Sequence, residues 1–266
     1  MPREPRAGVA TNWITVGDGP RPGLFLHCSL ASARSLVPLM ERVGDQLHGD
    51  APDLPGHGRS ADWDGSGDYV TRATDIAETF CDGPRDIIGH SLGAVVALSL
   101  MARRPDLVRR AVLIEPVLFA AARGTPAHDT YRRDHAEMAD AVAAGDPMAA
   151  TRAFVQIWGT AQPWDALPAP VRQAMTDRIH LVSATGPALE DDATGLLDGD
   201  RLGRVDAPIL LIRGELSHPI IPAIFDELAR QLPDPRIETI AGAGHMAPIT
   251  HPDEVALLVR QHLVAP

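Results

Sequence analysis

The 266-residue chain predicts an α/β fold: a mostly parallel sheet flanked by helices, interrupted by a helical insertion. Three observations lead there. Short apolar runs of strand character recur at Leu24–His27, Ile87–Ile88, Ala111–Ile114, Pro208–Ile212 and Ile237–Ile240, as expected of strands buried on both faces. Segments of helical periodicity alternate with these runs, which is the signature of βαβ units. From about Val117 to Arg204 the alternation stops and helical patterns continue alone. The predicted organisation is a core domain from residues 1–116 and 205–266, with an inserted helical domain at 117–204.

Taken in order, Gly8–Val16 predicts an entering strand or hairpin, and Leu24–His27 the first buried strand. A helix over Ala33–Leu47 follows, then one over Val70–Cys81. Ile87–Ile88 forms a strand that leads directly into a helix over Leu92–Arg104. The strand at Ala111–Ile114 ends at Glu115-Pro116, because proline has no N–H to donate to a sheet. Within the insertion, helices are expected at Thr130–Ala144, Pro147–Trp158 and Pro168–Val182, separated by Gly- and Pro-bearing turns. The remaining core supplies the strand Pro208–Ile212, a helix over Ile221–Gln231, the strand ending at Ile240 and a final helix over Pro252–Leu263.

Composition excludes several classes of function. Acidic residues number 35 against 24 basic ones, and no basic run exceeds an arginine pair, so no nucleic-acid partner is expected. The apolar stretches Ala94–Leu98 and Val117–Ala122 fall far short of the ~20 residues that span a bilayer. Met1–Arg6 is charged and leads into no uninterrupted apolar run, which points to a cytoplasmic protein. Cys28 and Cys81 are too few for a disulfide scaffold, and no histidine or cysteine spacing suits a metal. No cofactor is expected. The acidic run Glu190-Asp191-Asp192 reads as a solvated turn.

Chemistry enters with Gly89-His90-Ser91-Leu92-Gly93, between a strand and a helix. A serine at such a turn is forced into a strained backbone conformation that presents its hydroxyl, and small flanking residues let the turn fit against neighbouring strands. Further motifs accompany it: Leu26-His27-Cys28-Ser29 after an early strand, Asp53-Leu54-Pro55-Gly56-His57-Gly58-Arg59-Ser60, and Gly242-Ala243-Gly244-His245 before the final helix. Together these resemble the α/β-hydrolase superfamily, in its cap-bearing esterase branch, across nearly the whole chain. The resemblance implies an α/β-hydrolase fold with a helical cap inserted after strand 6. It also implies that the backbone N–H groups of Ser29 and Leu92 hold a developing oxyanion. Cys28 departs from the pattern, standing where the family usually has glycine.

His245 is the expected general base, following Ser91 and an acid in chain order, with an imidazole whose ordinary pKa lies close to neutrality. His27, His57 and His90 are read as packing or hydrogen-bonding members of their loops. The acid is the second departure. The family usually places an aspartate three residues after Gly214, where this chain has Ser217, and a hydroxyl cannot stabilise an imidazolium as a carboxylate does. Glu115, at the end of its strand, is the favoured replacement, as in haloalkane dehalogenases and other family members with their acid there. Glu215, another acid, or a serine–histidine dyad are the alternatives.

In the insertion, Phe154, Ile157, Trp158 and Trp164 are the densest apolar-aromatic cluster, open to reading as core or as substrate contacts. The expected function is a carboxylesterase-like serine hydrolase, cleaving a small-molecule ester through an acyl-enzyme with a Ser91–His245–Glu115 triad. C–C bond, lactone or amide hydrolysis, perhydrolysis and lyase chemistry on the same triad are alternatives, as is a ligand-binding protein without turnover.

Overall fold

The computed structural model describes residues 2–160 and 162–265; Met1, Ala161 and Pro266, which fall within the predicted core and insertion, lie outside the described residues. Among the described residues eight strands form one sheet: β1 (Arg3–Arg6), β2 (Val9–Val16), β3 (Arg21–Leu26), β4 (Leu47–Pro52), β5 (Arg85–His90), β6 (Val108–Ile114), β7 (Ile209–Gly214) and β8 (Arg236–Ile240). Their spatial order is β1-β2-β4-β3-β5-β6-β7-β8. The β1–β2 and β2–β4 pairs are antiparallel and all the others parallel.

Successive residues of the central strands feed opposite cores. Leu24, Leu26, Ile87, Ala111, Leu113, Ile209 and Leu211 face the layer built by α2 (Tyr69–Glu78) and α3 (Leu92–Arg103), which also takes the later helix Ile220–Gln231. Phe25, Ile88, Val112, Ile114, Leu210 and Ile212 face α1 (Val37–Arg42) and the C-terminal helix Pro252–Val264. This two-sided burial is why the runs are apolar throughout. At the far end from the strand C-termini, burial works against ionisation of Asp86, but guanidinium groups from Arg21 (2.8 Å) and Arg109 (2.6 Å) outweigh it and lower its pKa.

Between β6 and β7 the described chain is helical: α4 (Pro126–Asp134), α5 (Ala136–Ala143), α6 (Pro147–Trp158), α7 (Ala169–Thr176), α8 (Ile179–Ala184) and α9 (Gly186–Asp191), with short 3-10 turns. The expected helix Thr130–Ala144 is broken at His135 into α4 and α5, and Pro168–Val182 into α7 and α8. After β7 come α10 (Ile220–Gln231), α11 (Ala247–Thr250) and α12 (Pro252–Val264).

The expected helix Ala33–Leu47 needs correction. A 3-10 turn at Ala33–Leu36 and α1 end at Arg42, and by Leu47 the chain is a strand paired with Arg21. Gly44 makes the turn, its carbonyl accepting from Asp18 and Gly19 N–H at 2.9 Å each. The sheet claims the backbone of Leu47–Pro52 over the weak helical pattern. Among the described residues no helix is long and apolar enough to cross a membrane.

Candidate active site

Ser91 lies between β5 and α3 with φ 56° and ψ −118°, the strained conformation anticipated for the turn. Its N–H donates to Ile114 O at 2.9 Å, tying the turn to the end of the neighbouring β6. Both flanking glycines are sterically required. A β-carbon on Gly89 would lie 2.4 Å from Gly93 O, and one on Gly93 would lie 2.1 Å from Leu26 O. The second approach seats the start of α3 directly on the end of β3. It thereby brings Leu92, whose N–H belongs to the helix's first turn, next to the loop that carries Ser29.

Two buried histidines shape that loop. The Leu54 N–H donates to His27 Nε2 at 2.9 Å, so the ring proton sits on Nδ1 and is given to Cys28 O at 2.8 Å. The Leu30 N–H likewise donates to His57 Nε2 at 3.1 Å, while His57 Nδ1–H and Tyr69 Oη–H both reach Pro55 O. Burial pushes His57 down to about 3 and also lowers His27, so both rings are neutral crosslinks. Leu30 is held at φ 59°. Cys28 is buried, and burial pushes its thiol up to about 12, which keeps it protonated and inert.

Glu115 follows β6 at φ 52°, fully buried, with its N–H donating to Ile212 O at 2.9 Å. Its Oε1 accepts from Gly214 N–H and from Ser217 Oγ–H, each at 2.6 Å. The other oxygen, Oε2, accepts from His245 Nδ1–H at 2.9 Å. On the far side of the ring, His245 Nε2 accepts from Ser91 Oγ–H at 2.9 Å. Serine, histidine and glutamate therefore form one buried hydrogen-bonded chain. Glu215 is elsewhere, accepting from Gly242 N–H at 2.9 Å at the surface. Ser217 thus has a role its sequence position did not reveal, as a hydrogen-bond donor to the Glu115 carboxylate. His90 holds the His245 backbone, its Nε2–H donating to His245 O at 2.9 Å, and burial pushes it down to about 3.

Two cavities meet at Ser91. The smaller, of about 140 Å³, lies among Val117, Phe119, Tyr131, His135, Leu189 and Glu190. The larger, of about 300 Å³, lies among Cys28, Leu30, Met175, His245, Met246 and Ile249. Ser29, Ser91, Phe154 and Trp158 line both. Trp158 Nε1–H donates to His135 Nε2 at 2.7 Å, and its ring stands edge-on to His245 at 4.7 Å. Ile157 instead packs against the apolar core, and Trp164 lines an outer cavity with Arg152 and Asp165, away from Ser91. Glu190 is not a solvated turn residue: its carboxylate turns inward to Tyr131, whereas Asp191 pairs with Arg123 and Asp192 accepts from Leu196 and Leu197 N–H. The loop after β7 also reaches the insertion, where His218 Nε2–H donates to Asp134 Oδ2 at 3.1 Å.

The sequence model of the alpha/beta hydrolase family matches residues 24–257. The chain belongs to the alpha/beta hydrolase family. Among curated relatives of this alpha/beta hydrolase, a 2-(acetamidomethylene)succinate hydrolase of Mesorhizobium japonicum is 27% identical over 245 residues, covering 89% of this chain and 85% of that protein. A pimeloyl-acyl-carrier-protein methyl ester esterase of Neisseria meningitidis is 30% identical over 255 residues, covering 89% and 90%. Among solved structures, Est816, an N-acyl homoserine lactone degrading enzyme, superposes with a TM-score of 0.73 at 22% identity, covering 97% of this chain and 99% of that one. A thermophilic esterase of Thermogutta terrifontis gives 0.73 at 21%, covering 96% and 93%. At these identities the structural neighbours speak for the alpha/beta hydrolase fold alone. The curated relatives are hydrolases, an esterase among them, which supports hydrolase activity here.

Proposed function

We propose that this chain is a serine hydrolase that cleaves a carboxylic ester of a small molecule through an acyl-enzyme. The observation that carries this reading is the buried chain Ser91 Oγ–His245–Glu115, with 2.9 Å at each link and the serine at a strained turn. His245 Nε2 takes the Ser91 proton as Oγ attacks the ester carbonyl, and Glu115 stabilises the imidazolium that forms. The N–H groups of Ser29 and Leu92 receive the oxyanion. His245 then gives its proton to the leaving alcohol. Water, activated by the same imidazole, releases the acid and restores Ser91. Residues 117–204 act as the cap, contributing Phe154 and Trp158 to the substrate walls.

The direction of the substrate follows from proton transfer. The leaving oxygen must receive its proton from His245, which lines the larger chamber and not the smaller one. The alcohol portion therefore occupies the larger chamber and the acyl portion the smaller. Two free thiols, Cys28 and Cys81, suit a reducing compartment and support a cytoplasmic setting.

The decisive experiment compares wild type with Ser91→Ala on a panel of chromogenic esters, alongside labelling by a fluorophosphonate probe. Turnover should fall by more than about 10³-fold and labelling should vanish, with the unfolding midpoint retained. A folded Ser91→Ala protein with normal turnover would overturn the proposal.

A further inference from the structure

The small chamber beside Ser91 has a polar end that the ester chemistry does not use. Tyr131 Oη–H donates there to Glu190 Oε1. The tyrosine ring is fixed, stacked on Phe119 with centroids 4.3 Å apart and close to His135 at 4.0 Å. Glu190 is partly buried within the cavity wall, and that burial raises its carboxyl pKa. Nothing on the wall balances it. Arg123 exerts a Coulombic pull on Glu190 but is engaged by Asp191 at 2.6 Å and does not line the cavity. No arginine is among the described residues lining either chamber, and the chain contains no lysine. His135 accepts from Trp158 and donates to Tyr131 O at 2.8 Å, and burial pushes it down to about 4, so it adds no positive charge near neutral pH. His128 exerts a Coulombic pull on Glu190 but does not line the cavity.

We propose that Glu190, held by Tyr131, makes the small chamber a receptor for a short acyl group ending in a hydrogen-bond donor, an ammonium foremost, and a barrier to acyl groups ending in a carboxylate. This rests on the ester-hydrolase reading, which assigns the acyl portion to that chamber. Its volume of about 140 Å³ matches an engineered cavity of ~150 Å³ that accepts benzene, so the acyl group is limited to a few carbons. An ammonium at the far end donates a charge-assisted hydrogen bond to the Glu190 carboxylate. A carboxylate there meets like charge in a partly desolvated wall with no cation to receive it. Phe119, Val117 and Leu189 favour the methylene chain leading to that end.

The test uses three p-nitrophenyl esters of similar shape: 3-aminopropanoate, butanoate and hemisuccinate. In wild type, kcat/KM for the aminopropanoate should exceed that for the hemisuccinate by at least about tenfold, and Glu190→Gln should compress this ratio by roughly ten- to hundredfold. The wild-type ratio needs no variant, and Glu190→Ala substitutes should the glutamine protein fail to fold. Equal or preferred turnover of the hemisuccinate, or a ratio indifferent to Glu190, overturns the proposal. Ligand-observed NMR of propylammonium and propionate reads the chamber without turnover. Ammonium preference that depends on Glu190, with no ester hydrolysed, sinks the hydrolase reading and keeps the chamber's selectivity. Ester turnover with both ions binding alike does the reverse.

Discussion

Glu115 has three donors for two oxygens, and their division decides what a substitution does. Gly214 N–H and Ser217 Oγ–H both claim Oε1, leaving Oε2 for His245. In Glu115→Gln the two donors fix the amide oxygen at the Oε1 position, so the amide NH₂ faces His245 Nδ1. That nitrogen must then accept, the ring proton moves to Nε2, and the base can no longer take the serine proton. Ester kcat should fall roughly 10²–10⁴-fold, by analogy with the loss when a triad aspartate becomes asparagine. Ser217→Ala removes one neutral donor while Gly214 remains, so its loss should stay below about tenfold in the same assay. A larger loss for Ser217→Ala than for Glu115→Gln would contradict the division of labour. The meeting of Ser91, His245 and Glu115 was legible in the sequence because each sits at the end of a recognisable strand or in a glycine-rich loop. The hydroxyl of Ser217 was not, since its partner lies 102 positions earlier in the chain. Glu190 was misread for the same reason, its inward turn being set by a tyrosine 59 residues away.

At the scale of elements, legibility followed local punctuation. The helix Pro147–Trp158 matches its expected span because Asp146 caps its start, accepting from Ala149 N–H at 2.9 Å, and Gly159 closes it. Leu47–Pro52 carries no such signal: glycine, aspartate and proline within six residues hide a strand that only its two neighbours define. The junction between β3 and α3 offers a clean test of packing. Gly93→Ala places a β-carbon against the carbonyl oxygens of Leu26 and His27, neither of which can move without shifting the sheet. Urea titration should show destabilisation of about 3 kcal/mol or more, or no folded protein at all. Gly83→Ala is the control, having open space and no positive φ, and should lie within about 0.5 kcal/mol of wild type.

For the whole molecule, the buried histidines set an acid limit on stability. His57 and His90 are pushed down to about 3, and His135 to about 4, in each case first by burial. Unfolded, each would titrate near 6.5, so below that pH the unfolded chain binds protons that the folded chain refuses. Stability is therefore full above about pH 6.5 and declines as the pH falls toward the folded values. Each group withdraws roughly 1.4 kcal/mol per pH unit well inside that window. The urea midpoint should drop steadily from pH 7 to 5, and His57→Asn should unfold with about one fewer proton taken up at pH 5. An unchanged midpoint across that range would refute the account. Glu115 has a wider consequence for how the molecule can change. On the proposed assignment of the acid to Glu115, the loop after β7 carries no catalytic carboxylate; it meets Glu115 through the Ser217 hydroxyl, and Leu216 N–H and the Glu215 carboxylate tie it to Ala243 and Gly242 before His245. The residue after Ser217, His218, reaches instead to Asp134 and stands edge-on to Tyr131. The same assignment frees His218, which joins this loop to the insertion through Asp134, to drift in ways that would retune which molecules are admitted without removing the acid.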